Sequence, residues 1–361
     1  MSFPLKQGFY MTRIALDAMG GDYAPKQIVV GAAEAANALG DVKIFLVGDT
    51  AAIECEVNRF PKNRKLMFQQ AVERGAIEIV HAPDCVEMDD VPVEAVRKKK
   101  DCSINVAMRL VKEGKADAFI SAGNSGAVAT SAIFNLGRIP GVKRPAIAMV
   151  LPTRSPDRPL LLLDAGANMD CNPEWLVQFA IMGSAYSKTV LRRENPAVGL
   201  LSIGTEECKG NELIHATNPL LQKIKGVNFI GNVEGHDICG GELDVAVADG
   251  FVGNVVLKTV ESVAKAIGGW LKAELKKSLF RKICALMLKP AFNALKKQMD
   301  PEVYGGAPLL GVPGAVIITH GNSTHKGIFY AIKTGVAAAR NDVTGLIAKA
   351  IADHAGDKNQ A

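Results

Sequence analysis

The sequence predicts an α/β fold in which helices cover both faces of a mostly parallel sheet. Short apolar runs of strand length recur along the chain, and each stops at glycine or polar residues. Stretches with helical spacing separate most of these runs. Repeated strand–helix units favour a parallel sheet, because parallel strands need a crossover connection. The 361 residues are enough for one large domain or two smaller lobes.

Composition narrows the class of protein. Hydrophobic residues make up 48% of the chain and charged residues 22%, which is ordinary for a soluble globular protein with a sizeable core. The formal net charge of +5 suits an acidic partner, an anionic substrate or an anionic membrane surface. No nucleic-acid partner is expected, because zinc-finger spacing and basic stripes interleaved with aromatic residues are both missing. Seven cysteines without a C-x-x-C pair indicate reduced thiols in a cytoplasmic protein.

The predicted elements follow one another in a regular order. The first strand covers residues 14–16 and stops at Asp17, and Gly20, Gly21 and Asp22 then lead to a helix over 25–39. Further strands are predicted at 42–47, 77–81, 116–120, 146–151, 160–163, 198–203, 229–230, 245–247 and 316–318. Ligands of such sheets bind at the carboxyl ends of the strands, so we expect these ends to face one common edge.

The first ten residues are expected to be a leader outside the fold. They lack the apolar core of a signal peptide, and Met11 stands just before the first strand. No run in the chain reaches the roughly 20 apolar residues that span a bilayer.

One region departs from the alternation and predicts a helical hairpin over residues 255–299. Its tip is apolar at Leu279, Phe280, Ile283 and Met287, and basic residues flank it at positions 276, 277, 281, 282 and 289. One interpretation is a helix pair packed in the core or at a dimer interface. The other is a reversible membrane contact, in which apolar side chains enter the headgroup region and lysines meet anionic lipid. Both hold if the root of the hairpin dimerises and its tip stays free.

Five predicted strand ends combine glycine with amide, hydroxyl or charged side chains. They cover residues 17–22, 121–127, 163–168, 204–210 and 249–254. Glycine lets a ligand approach the backbone, and turn amides and helix N-termini attract anions. One such loop is a weak signal, but five suggest a common cleft for an anion or for a reaction that develops an oxyanion.

Several kinds of chemistry lose support because their motifs are missing. The chain has no G-x-S-x-G elbow, no Walker A lysine and no G-x-G-x-x-G at its first helix, which disfavours a kinase or a simple dinucleotide enzyme. The histidines lack metal-ligand spacing, and we expect neither metal nor cofactor. Cys208 lies beside Lys209, but a thiol without a partnered base is more often incidental. A substrate anion that is itself the nucleophile needs none of these groups.

Taken together, the motifs carry a resemblance to a known family. They are Asp-Ala-Met-Gly-Gly-Asp at 17–22, Ser-Ala-Gly-Asn-Ser-Gly-Ala at 121–127, Leu-Leu-Asp-Ala-Gly-Ala-Asn at 162–168, Gly-Thr-Glu-Glu-Cys-Lys-Gly-Asn-Glu at 204–212, Phe-Ile-Gly-Asn-Val-Glu at 229–234, Asp-Gly-Phe-Val-Gly-Asn-Val at 249–255 and Tyr-Gly-Gly-Ala-Pro-Leu-Leu-Gly at 304–311. Across residues 11–350 the chain resembles the PlsX family, the acyl-acyl-carrier-protein:phosphate acyltransferases of bacterial phospholipid synthesis. One small departure is Ser125, where the family more often has threonine.

The resemblance implies a fold, a reaction and partners. The fold is a three-layer αβα sandwich similar to isocitrate dehydrogenase and phosphotransacetylase, without their nucleotide cofactor or metal, forming a single catalytic domain over 11–350. The reaction moves a long-chain fatty acyl group from acyl-acyl-carrier protein to inorganic phosphate. The acyl phosphate then passes to a membrane glycerol-3-phosphate acyltransferase. The resemblance also implies a homodimer and a peripheral membrane association, which fits the hairpin.

It also implies roles for single residues. Lys209 matches the family's lysine and is expected to hold phosphate or neutralise developing charge. Asn254 matches an asparagine that we expect to orient the substrate or donate to the oxyanion. The expected phosphate or phosphopantetheine contacts are Gly20, Gly21, Gly123, Asn124, Ser125 and Gly126.

Three carboxylates are expected to order loops rather than to touch phosphate, which they would repel. They are Asp17, Asp22 and Asp164. The basic stretch 97–100 is most simply a solvated helix end, and the alternative is a docking site for the carrier protein. Two other functions stay open at this point: a phosphotransacetylase acting on short acyl-CoA, and a membrane-surface scaffold without turnover.

Overall fold

A sheet of eleven strands runs through the part of the chain that the structure describes. The computed structural model describes residues 11–360, with the side chains of all of them except 296, 297, 301 and 357–360. The predicted leader over 1–10 lies outside the described residues. The strands are β1 (Thr12–Asp17), β2 (Val42–Gly48), β3 (Ile77–His81), β4 (Ala118–Ser121), β5 (Ala146–Leu151), β6 (Leu160–Leu163), β7 (Ala197–Leu201), β8 (Asn228–Val233), β9 (Val245–Val247), β10 (Ala307–Leu310) and β11 (Ala315–Ile318). Their order in the sheet is β3-β2-β1-β4-β11-β10-β5-β6-β9-β7-β8.

Helices cover both faces of this sheet, which confirms the predicted α/β class. They are α1 (Lys26–Leu39), α2 (Thr50–Arg59), α3 (Lys62–Glu73), α4 (Pro92–Lys98), α5 (Ser103–Lys112), α6 (Ser125–Asn135), α7 (Pro173–Thr189), α8 (Glu212–Gln222), α9 (Gly250–Lys276), α10 (Leu279–Met287), α11 (Lys289–Met299), α12 (His325–Arg340) and α13 (Val343–Gln360). Helices α4, α5, α6 and the start of α9 pack on one face, and α1–α3, α7, α8, α12 and α13 pack on the other.

Inner strands such as β5 and β6 are apolar along their whole length because both of their faces are buried, whereas the edge strands β3 and β8 include polar and exposed residues. Successive side chains of a strand point to opposite faces. In β6, Leu160 and Leu162 pack on the face of α5 and α6, whereas Leu161 and Leu163 pack on the face of α7. A strand buried on both sides reads as an unbroken apolar run, which is why the sequence located most of the strands.

Three antiparallel pairs in the middle of the sheet divide it into halves. Strand β10 is antiparallel to both of its neighbours, β11 and β5, and β5 is antiparallel to β6. Strands β1–β4 and β11 therefore run one way, and β6–β9 run the opposite way. We call the edge where β1, β4 and β11 end the first edge, and the edge where β6, β7 and β9 end the second edge. The expectation that all strand ends face one common edge is wrong within a single chain.

Helix α9 leaves the sheet soon after it begins. Its 27 residues span about 40 Å at 1.5 Å per residue, and only Gly250, Gly253 and Leu257 are buried. Helix α10 packs against α9 and α11, and its own residues are all at least partly exposed. The region predicted as a helical hairpin over 255–299 thus contains three helices, and we call them the helical excursion. Among the described residues, no helix is both long and apolar enough to cross a bilayer.

Candidate active site

The polar strand ends form two separate groups, one at each edge of the sheet. At the first edge, Asp17 closes β1 and is only 1% exposed. Its Oδ2 accepts a hydrogen bond from Ser121 Oγ at 2.6 Å, and its Oδ1 accepts one from Met19 N at 3.0 Å. The Ser121 hydroxyl in turn accepts from Gly123 N at 2.9 Å. Burial raises the pKa of Asp17, and these hydrogen bonds oppose that shift.

Glycines let the loops of the first edge approach one another. A Cβ on Gly20 would lie 2.6 Å from Gly123 N, which joins the loops after β1 and β4. Gly21 has φ of +100°, a conformation that favours glycine. The next residue, Asp22, donates its backbone N–H to Gly321 O at 2.8 Å and leaves its side chain exposed. The loops after β1, β4 and β11 therefore meet.

The start of α6 lies in this first group as well. Asn124 caps the helix by accepting from Ala127 N at 3.1 Å, and its Nδ2 donates to the carbonyls of Met88 and Asp90 at 3.1 and 3.3 Å. Its side chain is therefore occupied within the chain. Ser125 and Gly126 follow it in the first turn and are exposed.

At the second edge, Asp164 organises the loop after β6. This fully buried carboxylate accepts hydrogen bonds from the backbone N–H groups of Ile147, Gly166, Ala167 and Asn168 at 2.7–3.2 Å, and from Asn168 Nδ2 at 2.8 Å. Burial raises the pKa of Asp164, and these N–H donors oppose the shift. Its oxygens are occupied by hydrogen bonds within the protein.

Helix α9 begins directly on the loop that Asp164 organises. Gly250 N donates to Asn168 O at 2.7 Å, and Asp249 caps the helix by accepting from Val252 N at 2.8 Å. Asn254 lies one turn along the helix, half-buried, with its Oδ1 3.6 Å from the position that a Cβ on Gly166 would take. Within the described side chains, its amide has no hydrogen-bond partner.

Lys209 lies in the loop after β7, at the same edge as Asn254. Leu200 of β7 and Leu163 of β6 both pair with Val247 of β9, so the three strands end side by side. The buried side chain of Asn232 holds this loop, because its Nδ2 donates hydrogen bonds to the backbone carbonyls of Glu206 and Lys209 at 3.0 and 3.4 Å. The Lys209 side chain is exposed, and its ammonium has no partner in the described part of the chain.

This arrangement offers charge stabilisation without a protein nucleophile. A free ammonium and a free amide face solvent from adjacent strand ends and could bind an anion and a carbonyl oxygen. Burial raises the pKa of Cys171 to about 12, so this neighbouring thiol is protonated at neutral pH. Cys208 is exposed, and none of the described hydrogen bonds joins it to a base.

Exposed apolar side chains lie at the start of α9 and in the loop after β6, beside Asn254 in the chain, and the sequence prediction did not include them. Phe251 is 63% exposed, Val255 51%, and Met169 48%. Phe251 and Met169 flank the hydrogen bond between Gly250 and Asn168. The available signal was their position inside or beside the glycine motifs.

Comparisons with known proteins identify the family of this chain. The family model described as "Fatty acid synthesis protein" matches residues 12–346. A phosphate acyltransferase of Trichodesmium erythraeum (strain IMS101) is 47% identical over 336 residues, covering 93% of this chain and 95% of that protein. A phosphate acyltransferase of Desulfitobacterium hafniense (strain Y51) is 51% identical over 324 residues, covering 90% and 92%.

Solved structures of more distant proteins share the fold. A phosphotransacetylase from Streptococcus pyogenes superposes with a TM-score of 0.60 at 14% identity, covering 91% of this chain and 94% of that one. A phosphotransacetylase from Staphylococcus aureus does so with a TM-score of 0.58 at 17% identity, again covering 91% and 94%.

Proposed function

This chain belongs to the fatty acid synthesis protein family and is a phosphate acyltransferase of the PlsX type, and from that premise we propose that it moves a long-chain fatty acyl group from acyl-acyl-carrier protein to inorganic phosphate. The observation that most supports this proposal is the position of Lys209 and Asn254. They lie at adjacent strand ends of the second edge, and their side chains have no partners among the described side chains. The acyl phosphate is then consumed by a membrane glycerol-3-phosphate acyltransferase.

The reaction is a direct attack that needs no covalent enzyme intermediate. An oxygen of hydrogen phosphate forms a bond to the thioester carbonyl carbon, and a tetrahedral oxyanion results. Its collapse breaks the carbon–sulfur bond and releases the carrier thiolate. The proton of hydrogen phosphate passes to that thiolate, so the products are acyl phosphate and the free carrier thiol.

Lys209 holds the phosphate in this scheme. A phosphate that binds the ammonium from solvent displaces no ion pair of the described chain. The support from Asn232 keeps the lysine loop in place between catalytic cycles. As negative charge shifts from the phosphate to the carbonyl oxygen, the same ammonium stabilises both states.

Asn254 donates its amide to the carbonyl oxygen as that oxygen becomes an oxyanion. Removal of one such donor typically lowers the rate about a hundred- to a thousandfold. The exposed apolar side chains of Phe251, Val255 and Met169 favour a long acyl chain over a short one, because a short chain would leave them uncovered.

The glycines of the first edge have a place in this scheme only in a homodimer. The two edges are separated by the strand length, about 13–20 Å for four to six residues at 3.3 Å per residue. Gly20, Gly21, Gly123, Ser125 and Gly126 therefore cannot touch the phosphate that Lys209 of the same chain holds. They contact phosphate or phosphopantetheine if the first edge of one protomer faces the second edge of its partner.

The helices α9–α11 supply the membrane contact and the dimer root. Leu279, Phe280, Ile283 and Met287 are 53–77% exposed, and Arg281 and Lys282 lie among them. Apolar side chains next to basic ones suit the headgroup region of an anionic bilayer. On α9, Val263 and Ile267 are exposed closer to the sheet and form the dimer root. The enzyme is then cytoplasmic and peripherally membrane-associated.

The substrate is tested by trapping acyl phosphate with hydroxylamine. We expect trapped product from long-chain acyl-acyl-carrier protein and phosphate, and little from acetyl-CoA and phosphate. The reverse preference would identify a phosphotransacetylase acting on short acyl-CoA. No product from either substrate would favour a membrane-surface scaffold.

A further inference from the structure

We propose that the connection from α6 to β5, residues 136–145, is the docking surface for the acidic carrier protein that delivers the thioester. This inference rests on the proposed function and adds the surface by which the carrier is recognised. The connection, called the basic loop below, contains Arg138, Lys143 and Arg144 and no acidic residue. All three cations are exposed.

The basic loop is fixed in place by the fold beneath it. Ile139 and Val142 are buried, and Ile139 N donates to Gly311 O at 3.0 Å. Gln178 of α7 accepts from Lys143 N at 2.8 Å and donates to Gly141 O at 2.9 Å. A surface that is already ordered loses less conformational entropy when a partner binds.

The cations of the basic loop are left without carboxylate partners. The Arg144 guanidinium lies 4.7 Å from the ring centroid of Trp175, and Arg138 donates to the Lys143 carbonyl oxygen. In the described part of the chain, neither these two side chains nor Lys143 forms an ion pair. Their charge therefore remains available to an acidic partner.

The basic stretch 97–100, which the sequence offered as a docking site, is less available. Lys98 pairs with Glu94 at 2.8 Å and Lys99 with Asp90 at 2.6 Å. Arg97 lies over the ring of Phe134, 5.2 Å from its centroid. Two of the four charges are thus balanced within the chain, and the basic loop is the better candidate.

The basic loop adjoins the second edge, where the thioester must arrive. Pro145 O, next to Arg144, accepts from Asn168 Nδ2 at 2.8 Å, and Asn168 O accepts from Gly250 N at 2.7 Å. Asn254 follows one turn later. The exposed Met169 and Phe251 flank this connection. An apolar centre with arginine nearby is typical of a protein interface.

The test combines two charge reversals with two substrates. In the variant Lys143→Glu/Arg144→Glu, the KM for long-chain acyl-acyl-carrier protein should rise at least about tenfold, because like charges then face each other. Turnover of a carrier-free acyl-pantetheine thioester and the KM for phosphate should stay unchanged. The native KM for the carrier substrate should rise with salt, and the variant should lose this dependence. Lys62→Glu, an exposed lysine at the start of α3, is the control and should change none of these quantities.

Each other outcome has a definite meaning. An unchanged KM for the carrier substrate, or an equal loss with both thioesters, would overturn the proposal. A raised KM for phosphate alone would also overturn it, because the basic loop would then be a phosphate site. Loss of binding to anionic vesicles alone would overturn it too, because the loop would then be a lipid-binding surface. If the native protein transferred no acyl group, the proposed function would fail. Fluorescence anisotropy of labelled carrier would then decide the docking claim, with weaker binding to the double variant upholding it and equal binding overturning it.

Discussion

The backbone of Gly253 lies directly against the carbonyl oxygen of Asp164, and the space between them is too small for a Cβ. This contact seats the first turn of α9 on the loop after β6 and so sets the position of Asn254. Asp164 fixes the other side of the contact, because its carboxylate accepts hydrogen bonds from the backbone N–H groups of that same loop. The two residues together align an amide donor with the strand ends that carry Lys209.

Gly253→Ala should therefore damage both stability and activity. Overpacking of this kind typically costs about 1–3 kcal/mol, so the melting temperature should fall and acyl phosphate formation should decline. Gly268→Ala is the matched control, because it lies in the same helix with no atom near its added Cβ. That change should raise stability slightly, by about 0.4–1 kcal/mol. Equal effects of the two substitutions would show that the contact with Asp164 is unimportant.

Asn232 should act as a positioning residue for Lys209. Asn232→Ala removes two hydrogen bonds to the lysine loop, and loss of a buried donor typically costs about 1–3 kcal/mol. We expect the KM for phosphate to rise about tenfold while the KM for the thioester changes little. Asn228→Ala, at the other end of β8, should leave both constants unchanged. A uniform loss of folded protein without a selective change for phosphate would argue for a purely structural role.

Asp17 should make stability depend on pH in an unusual direction for a carboxylate. Burial raises its pKa above the ordinary value of 3.8. A carboxylate whose pKa is higher in the folded protein than in the unfolded chain stabilises the fold at pH values below its unfolded pKa. This stabilisation is lost as the pH rises through the folded pKa. The melting temperature of the native protein relative to Asp17→Asn should therefore fall as pH increases from about 4, with Asp22→Asn as the exposed control. If the melting temperature of the native protein instead rose relative to Asp17→Asn with increasing pH, the hydrogen bonds from Ser121 and the backbone amides would outweigh the effect of burial on the pKa of Asp17.

The tip and the root of the helical excursion should respond differently to the same chemical change. Leu279→Glu with Ile283→Glu should weaken binding to anionic vesicles at least about a hundredfold, since each apolar side chain contributes about 1.5–3 kcal/mol when buried. Activity on the soluble substrate should be kept. Val263→Glu with Ile267→Glu has the same spacing on α9 and should shift the dimer towards monomer while vesicle contact persists. Unfolding of the tip variant would instead support a tip that packs within the protein.

The sequence predicted the elements of the fold better than their directions. Strands such as β6 (Leu160–Leu163) were found because burial on both faces leaves an unbroken apolar run. That same run looks identical whichever way the strand points, so the run itself does not show the reversal between β5 and β6. The available signal was the connection of eight residues between these strands, 152–159, which is too short for a parallel crossover. Strand β10 (Ala307–Leu310) was missed, because Pro308 disfavours a strand that lies inside a sheet.

For the site, the residue types were predictable and their grouping was not. Lys209 and Asn254 came from motifs, whereas their separation from Gly20 and Gly123 follows from the strand reversal. Asn124 could have been identified as a helix cap, since asparagine directly before a helix is a common capping signal. The basic loop carried no motif, and its importance depends on a neighbour, Asn168, that is 24 residues away from Arg144 in the sequence.

The central claim is that the second edge carries the acyl transfer through Lys209 and Asn254. The most direct measurement is hydroxylamine trapping of acyl phosphate made by Lys209→Ala and Asn254→Ala, with Lys223→Ala as an exposed control. We expect each of the first two variants to fold normally and to lose about a hundred- to a thousandfold in turnover, with the control unchanged. Near-native turnover by either Lys209→Ala or Asn254→Ala would contradict the account.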